Sequence, residues 1–157
     1  MSTTVIRLAG AGDLCQLLKL YQELRPDDPT LTPALARQQF DLILANPQQR
    51  LVVAQTGEQL TATAMLVLAH NLAYGGRPFA LIEHVVTASP FRGQGLAKAV
   101  MQYCLDLAWQ HDCAKVMLLS GQQRPQAHAL YQSLGFNGDT ERGFVLKAAD
   151  LTKNTVI

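Results

Sequence analysis

The sequence has few charged residues and almost no excess of either sign. Charged residues make up 16% of the 157 residues, whereas typical globular domains contain roughly 25%. The formal net charge of +1 supplies no basic surface of the kind that binds nucleic acid, so we expect no nucleic-acid partner. A surface with so little charge either carries neutral polar side chains or is covered by a second subunit. The second interpretation predicts a homodimer, and both stay open.

Cysteine and long apolar runs are also scarce. Cys15, Cys104 and Cys113 have no metal-ligand spacing and cannot all pair, so we expect no metal site. Cys15 and Cys104 lie on apolar helical faces, which predicts buried thiols in a reducing cytoplasm.

The longest apolar run, 62–69, is far shorter than the roughly 20 residues of a membrane span. The N-terminus lacks the basic and apolar regions of a signal peptide, so we expect a cytoplasmic protein without a membrane partner.

The chain does contain a readable series of secondary-structure elements. A strand near 4–8 precedes two amphipathic helices, and three strands linked by tight turns follow. The remainder alternates helix and strand. The predicted segments are helix 97–108, strand 115–119, helix 127–134 and strand 143–147. This order predicts an α/β fold, one domain over residues 1–157 with a mixed sheet and helices on both faces. The tail 152–157 is expected to be loose.

A glycine turn joins the apolar strand 81–87 to the helix that follows it. Residues 92–97 read Arg-Gly-Gln-Gly-Leu-Ala. A helix N-terminus leaves about four N–H groups unpaired, and the preceding glycines let them close on an anion such as a diphosphate. A P-loop would require Lys-Ser/Thr where Leu96-Ala97 stand, and a Rossmann fingerprint would lie in the first βα unit. On this turn alone, a connection that binds no ligand stays open.

Three segments together resemble the Gcn5-related N-acetyltransferase (GNAT) superfamily. Residues 82–87, Ile-Glu-His-Val-Val-Thr, and the turn 92–97 resemble its motif A, a strand followed by Arg/Gln-x-x-Gly-x-Gly/Ala. Residues 127–136, Ala-His-Ala-Leu-Tyr-Gln-Ser-Leu-Gly-Phe, resemble its motif B, a helix with a tyrosine three residues before leucine and a Gly-Phe stop. The resemblance implies the element order β-α-α-β-β-β-α-β-α-β with a splayed central sheet.

The resemblance also implies acetyl-CoA as co-substrate and an N-acetyltransferase that moves the acetyl group to a primary amine by direct attack in a ternary complex. Pantetheine is a chain of two amides, so a strand edge can bind it as a pseudo-strand. The implied pantetheine contacts are main-chain groups of Val85, Val86 and Thr87. The implied diphosphate contacts are backbone N–H groups of Arg92, Gly93, Gln94, Gly95, Leu96 and Ala97.

The acceptor is expected to be a small-molecule amine or an exposed amino group. In the family it is bound by the first two helices and the loop between them, here residues 21–40, together with strand 81–87. The sequence does not choose among polyamine, aminoglycoside, amino acid, peptide N-terminus and protein lysine. The alternative function is a non-catalytic acyl-CoA-binding sensor or interaction module that uses the same residues without chemistry.

Two residues are candidates for the proton transfers of this reaction. A lysine-like amine has a pKa near 10.4, so its neutral form costs roughly 4 to 5 kcal/mol at pH 7. Glu83, on an apolar strand, is the candidate general base, and a salt-bridged or edge-exposed glutamate is the alternative. Tyr131 matches the family tyrosine that in many members protonates the leaving thiolate, and a purely packing tyrosine is the alternative. His84 lies on the face opposite Glu83 if the strand is regular, which a bulge would change. We favour a structural role for His84 over a proton relay, and assign no role to His128.

One position departs from the family pattern. Many members have an asparagine that contacts the cofactor seven residues before the motif B tyrosine, whereas this chain has Arg124. Arginine is a bidentate donor suited to phosphate, so a contact with a CoA phosphate is one hypothesis. A solvated surface arginine is the default.

Overall fold

A five-stranded mixed sheet forms the centre of the fold in the computed structural model, which describes residues 3–151. Strands follow one another across the sheet in chain order. They are β1 (Thr4–Leu8), β2 (Gln49–Thr56), β3 (Gln59–Ala69), β4 (Phe79–Thr87) and β5 (Val116–Met117). The first four pair antiparallel, and β5 pairs parallel to β4. The predicted mixed α/β fold is confirmed; the tail 152–157 lies outside the described residues.

Helices cover both faces of this sheet. Helices α1 (Leu14–Leu24) and α2 (Pro33–Ala45) pack on one face, where their apolar side chains share a core with Leu51, Val53 and Val86. Helix α3 (Leu96–Gln110) packs on β2, β3 and β4 from the other face. It buries six side chains, those of Leu96, Val100, Met101, Cys104, Leu105 and Ala108. Strand β2 contributes side chains to the core under α1 and α2 and to the core under α3, because neighbouring residues of a strand point to opposite faces of the sheet.

Strand β3 is covered on both faces, so the two threonines that it contains are buried. Thr61 and Thr63 are fully buried. The Thr61 hydroxyl donates to the Ala54 carbonyl oxygen at 3.2 Å, and the Thr63 hydroxyl donates to the Val52 carbonyl oxygen at 2.8 Å. These bonds satisfy hydroxyls that would otherwise destabilise the core.

The chain divides into two compact units between Leu118 and Leu119. The second unit contains α4 (Pro125–Ser133) and the short α5 (Ala148–Leu151). Helix α4 begins with a proline at its first position, where the missing N–H is not needed. It ends before Gly135, whose φ of 94° is left-handed, as predicted for a glycine C-cap. The single domain over 1–157 stays a prediction.

Three sequence predictions need correction. The predicted strand 143–147 is wrong, since this segment pairs with no strand of the described residues. Phe144, Val145 and Leu146 are 86%, 62% and 74% exposed. Apolar composition favours a strand, but a strand also needs a hydrogen-bonding neighbour, which composition does not specify. The predicted strand 115–119 contracts to the two residues of β5. Cys15 is exposed, whereas Cys104 and Cys113 are buried, because Cys15 lies one position, about 100°, around the helix from the core-facing Leu14.

Candidate functional site

Strand β4 has a free edge along the half that approaches the glycine turn. Strand β5 pairs only with Ala80 and Leu81, so within the described residues no strand occupies that edge from Ile82 to Thr87. On the opposite edge, β3 pairs with β4 as far as Thr87. The predicted splayed sheet is therefore present. Free backbone N–H and C=O groups at such an edge can pair with an extended chain of amides.

A β-bulge interrupts β4 at His84. Thr63 pairs with Val86 while Met65 pairs with Glu83, so Ala64 alone faces both His84 and Val85. His84 has a φ of 54°, a left-handed conformation that non-glycine residues rarely adopt. The bulge thus redirects the His84 side chain, which is the exception that the sequence interpretation had left open.

This bulge decides where Glu83 points. Met65 and Thr63 lie on the same face of β3, so their partners Glu83 and Val86 also share a face. Val86 packs in the core formed with α1 and α2, which places Glu83 on the α1–α2 face. The Glu83 side chain is exposed and has no hydrogen bond or ion pair to another described residue. The cost of burying a carboxylate therefore does not apply to Glu83; its carboxylate is instead open to an incoming ligand.

The end of α1 and the loop 25–32 border this same region. The Tyr21 ring packs edge-on against His84, with ring centroids 5.7 Å apart. Burial raises the pKa of Tyr21 to about 12, so its hydroxyl stays protonated at neutral pH. Asp28 forms an ion pair with Arg25. Phe40, within the predicted acceptor region 21–40, is instead buried in the core.

The glycine turn presents an array of unpaired backbone donors. A short 3-10 turn, Ser89–Phe91, leads from β4 into the turn, where Gly93 and Gly95 have φ values of 75° and 79°. Among the described residues, the backbone N–H groups of 93–97 find no protein acceptor, and the first bond of α3 runs from the Ala99 N–H to the Gly95 carbonyl oxygen. The Arg92 N–H differs, because it donates to the Ser89 carbonyl oxygen at 3.4 Å. Five of the six predicted donors are therefore free.

Thr87, at the junction of the free edge and the turn, carries an unsatisfied hydroxyl. Its Oγ1 is buried and has no hydrogen-bond partner. Its carbonyl oxygen accepts a hydrogen bond from Arg92 Nε at 3.3 Å. A buried hydroxyl without a partner costs about 1 to 3 kcal/mol. Native proteins usually retain such a group only where a ligand or water completes it.

The second unit holds Tyr131 on α4. Its ring packs edge-on against Phe136, with centroids 6.2 Å apart. Burial raises the pKa of Tyr131, an effect that the nearby charge of Arg124 partly offsets; the phenol is therefore protonated at neutral pH. Arg124 is exposed at the N-terminal end of α4. His128 Nε2 lies 2.8 Å from the Gly121 carbonyl oxygen, a local contact that accounts for His128 without a ligand.

Sequence reasoning missed two features of this region, the unsatisfied hydroxyl of Thr87 and a contact between Glu23 and Ser89, and it left the bulge at His84 open. The contact joins residues 66 positions apart, and no local pattern marks either partner. Within residues 3–151 there is no cluster of three or more His, Cys, Asp or Glu side chains arranged to hold a metal. None of the described helices is both long and apolar enough to cross a lipid bilayer.

Comparison with known proteins extends the similarity well beyond the two motifs. A family model described as the acetyltransferase (GNAT) family matches residues 16–136. A glucosamine 6-phosphate N-acetyltransferase from Trypanosoma brucei brucei is 27% identical over 131 residues, which cover 83% of this chain and 87% of that protein. A candidate acetyltransferase from Agrobacterium tumefaciens is 41% identical, with a TM-score of 0.87 over 91% of this chain and 99% of that structure.

A third protein shares the fold and was solved with CoA bound to it. It is an aminoglycoside N-acetyltransferase in complex with CoA, 19% identical to this chain, with a TM-score of 0.79. The alignment covers 94% of this chain and 95% of that structure. At this identity the likeness concerns the fold alone. The matched region 16–136 includes the bulged strand, the glycine turn and α4.

Proposed function

The chain belongs to the GNAT family of N-acetyltransferases, and on that basis we propose that it transfers the acetyl group of acetyl-CoA to a primary amine by direct attack in a ternary complex. The observation that carries the proposal is the row of five unpaired N–H groups from Gly93 to Ala97, placed at the positive end of α3. Oriented backbone donors at a helix N-terminus bind phosphate groups well.

The residues present fit CoA in two further respects. The free edge of β4 at Val85–Thr87 has the length and hydrogen-bonding character that the two amides of pantetheine require. The side chain of Val86 is 6% exposed and packs in the core, so its contribution to the cofactor site comes from its backbone. Acetyl-CoA supplies the activated thioester; the protein supplies orientation and proton transfer.

Glu83 is the proposed general base. Its carboxylate is exposed and unpaired on the α1–α2 face, beside the loop 25–32 where the family binds its acceptor. It accepts the proton that the amine must lose, directly or through one water. Tyr131 is the proposed general acid for the departing thiolate, and the raised pKa of its phenol keeps this group protonated while the reaction proceeds at neutral pH.

The first acceptor to test is an amino sugar phosphate. One similar protein is a glucosamine 6-phosphate N-acetyltransferase, and one protein of the same fold acetylates aminoglycosides. Both acceptors are small molecules that carry a primary amine. We therefore propose a small-molecule amine as acceptor, with exposed amino groups of peptides as the comparison class.

The decisive experiment measures cofactor binding and turnover with one preparation. Calorimetry with CoA should show binding, and acetyl-CoA with a panel containing glucosamine 6-phosphate, an aminoglycoside, a polyamine and a peptide should release free thiol in an amine-dependent way. Folded protein that binds no CoA would overturn the assignment. Binding without thiol release on the whole panel would point to the non-catalytic acyl-CoA sensor. Light scattering on the same preparation tests the proposed homodimer.

Replacing Thr87 by valine tests whether CoA forms a hydrogen bond with the unsatisfied Thr87 hydroxyl. We expect Thr87→Val to bind CoA about two- to tenfold more weakly, since one hydrogen bond contributes about 0.5 to 1.5 kcal/mol. The ligand-free variant should be as stable as the wild type or slightly more so, because the change removes an unsatisfied buried group. Calorimetry and thermal unfolding measure the two effects.

Thr63→Val is the matched control for this variant. The Thr63 hydroxyl is equally buried but already bonded to the Val52 carbonyl oxygen. Its loss should therefore destabilise the protein by about 1 kcal/mol and leave CoA affinity unchanged. Wild-type CoA affinity in Thr87→Val would show that the Thr87 hydroxyl does not meet the cofactor.

A further inference from the structure

The last turn of α1 reaches the segment that leads into the glycine turn through a single carboxylate. Glu23 Oε2 accepts a hydrogen bond from the Ser89 backbone N–H at 2.9 Å and another from the Ser89 hydroxyl at 2.8 Å. Arg92 Nη2 lies 3.8 Å from the same oxygen. One oxygen atom thus joins the helix on the acceptor side of the sheet to both ends of the short turn that precedes Gly93.

This anchor matters because the backbone N–H groups of 93–97 donate no hydrogen bond to a described residue that would fix the glycine turn itself. The segment before the turn is also held by the Phe91 N–H bond to the Ala88 carbonyl oxygen at 2.9 Å and by the bond from Arg92 Nε to the Thr87 carbonyl oxygen, and Glu23 adds the contact with α1. Gly93 and Gly95 have no side chains and occupy left-handed backbone conformations, and Gly95, the N-cap of α3, offers no side-chain cap. The Arg92 N–H bond to Ser89 is long, at 3.4 Å. Glycine-rich segments lose much conformational entropy on ordering, so a fixed entry point determines how well the free N–H groups of 93–97 are arranged before a ligand arrives.

The Glu23 carboxylate is suited to this task at neutral pH. The two hydrogen bonds from Ser89, assisted by the charge of Arg92, hold the pKa of Glu23 below its ordinary value. The group is therefore ionised and accepts both bonds. Hydrogen bonds to an ionised acceptor are stronger than those between neutral groups.

We propose that Glu23 is a positioning residue for the diphosphate site: it holds Ser89 and Arg92 so that the backbone N–H groups from Gly93 to Ala97 are preorganised for the diphosphate of CoA. The inference rests on the proposed function, because it concerns the same cofactor site. Glu23 does not itself contact the diphosphate; a carboxylate in contact with it would repel it.

Two substitutions separate positioning from charge. Glu23→Ala removes both the acceptor oxygens and the charge, and we expect its affinity for CoA to fall about tenfold. Glu23→Gln keeps an oxygen that can accept from Ser89 but loses the charge, so its affinity should fall about threefold or less. Ser89→Ala, which retains only the backbone donor, should lie between the wild type and Glu23→Ala. Adding Ser89→Ala to Glu23→Ala should cause little further loss, because the two residues act through one contact.

The ligands of the titration locate the effect. CoA and dephospho-CoA both contain the diphosphate, so both should lose affinity by the same factor in Glu23→Ala. Pantetheine lacks phosphate, and its affinity, measured by competition, should not change. Glu58→Ala, an exposed acidic position in the β2–β3 turn, is the control and should bind all three ligands like the wild type. Thermal unfolding checks that each variant is folded. If Glu23→Ala does not fold, the two single variants Glu23→Gln and Ser89→Ala decide the question.

Three results would overturn the proposal. They are wild-type CoA affinity in Glu23→Ala, an equal loss for pantetheine, and tighter CoA binding in both Glu23 variants, which would make Glu23 a competing anion. Failure of the wild-type protein to bind CoA would instead overturn the proposed function.

Discussion

Glu83→Gln is expected to lower kcat for amine acetylation by about 100-fold or more at pH 7, the range typical for loss of a general base. Glutamine keeps the size and polarity of the side chain but cannot accept a proton. An amine with a pKa near 10.4 is almost entirely protonated at pH 7, and forming its neutral state costs roughly 4 to 5 kcal/mol. Loss of the carboxylate that accepts this proton therefore lowers the rate directly. CoA affinity should not change, because Glu83 faces α1 and α2 and not the free edge of β4.

The pH profile distinguishes a base from a binding residue. As pH rises toward the pKa of the amine, solvent removes the proton and the deficit of Glu83→Gln should shrink. A residue that only binds the acceptor would show a deficit that does not shrink in this way. Glu58→Gln, on the exposed β2–β3 turn, is the matched control. If Glu83→Gln turns over like the wild type while His84→Gln is slow, the base is His84, whose ring the bulge places beside Tyr21.

Tyr131→Phe is expected to lower kcat by about 100-fold with little change in CoA affinity, because the phenol is proposed to protonate the thiolate as it leaves. The substitution removes only the hydroxyl, and the edge-on contact with Phe136 is available to phenylalanine as well. Folding should therefore be preserved. Single-turnover kinetics, which report the chemical step without product release, give the cleanest measurement.

Tyr74→Phe is the matched control for this substitution. Tyr74 is 56% exposed in the turn between β3 and β4, so its variant should react like the wild type. A wild-type single-turnover rate in Tyr131→Phe would leave Tyr131 with a packing role and would assign thiolate protonation to water or to another donor.

Much of the architecture could be predicted because it follows from local chemistry. The apolar stripe of α3 appears in the sequence at helical spacing, in Ala97, Val100, Met101, Cys104, Leu105 and Ala108. The helix buries all of these except Ala97. Turns at Gly57, Gly75 and Gly76 occur where glycine permits left-handed backbone. The segment 143–147 shows the limit of such reasoning, because its apolar composition predicts a strand that finds no partner among the described residues.

Some parts of the candidate site could likewise be predicted from the sequence, and others could not. The glycine turn could be located from sequence because its donors are backbone groups next to one another in the chain. The face of Glu83 could not, since one inserted residue reverses the direction of every side chain beyond it. His84 is not glycine, so nothing local distinguishes the bulged strand from a regular one. The apolar neighbours of Glu83 in its strand suggest a buried carboxylate, for which a catalytic role or a partner would compensate. The side chain is instead exposed, because exposure is a property of the assembled fold.

By itself, the sequence determined the order of the elements up to α4, the free backbone donors of the glycine turn, and the family resemblance that predicts acetyl transfer. These depend on residues close together in the chain, where periodicity and glycine conformation act directly. Only the tertiary structure decided the bulge at His84, the early end of β5 that frees an edge of β4, and the contact of Glu23 with Ser89. Each depends on which residue, far away in the chain, becomes a neighbour in space. The spacing of residues along the sequence does not show which residues these are.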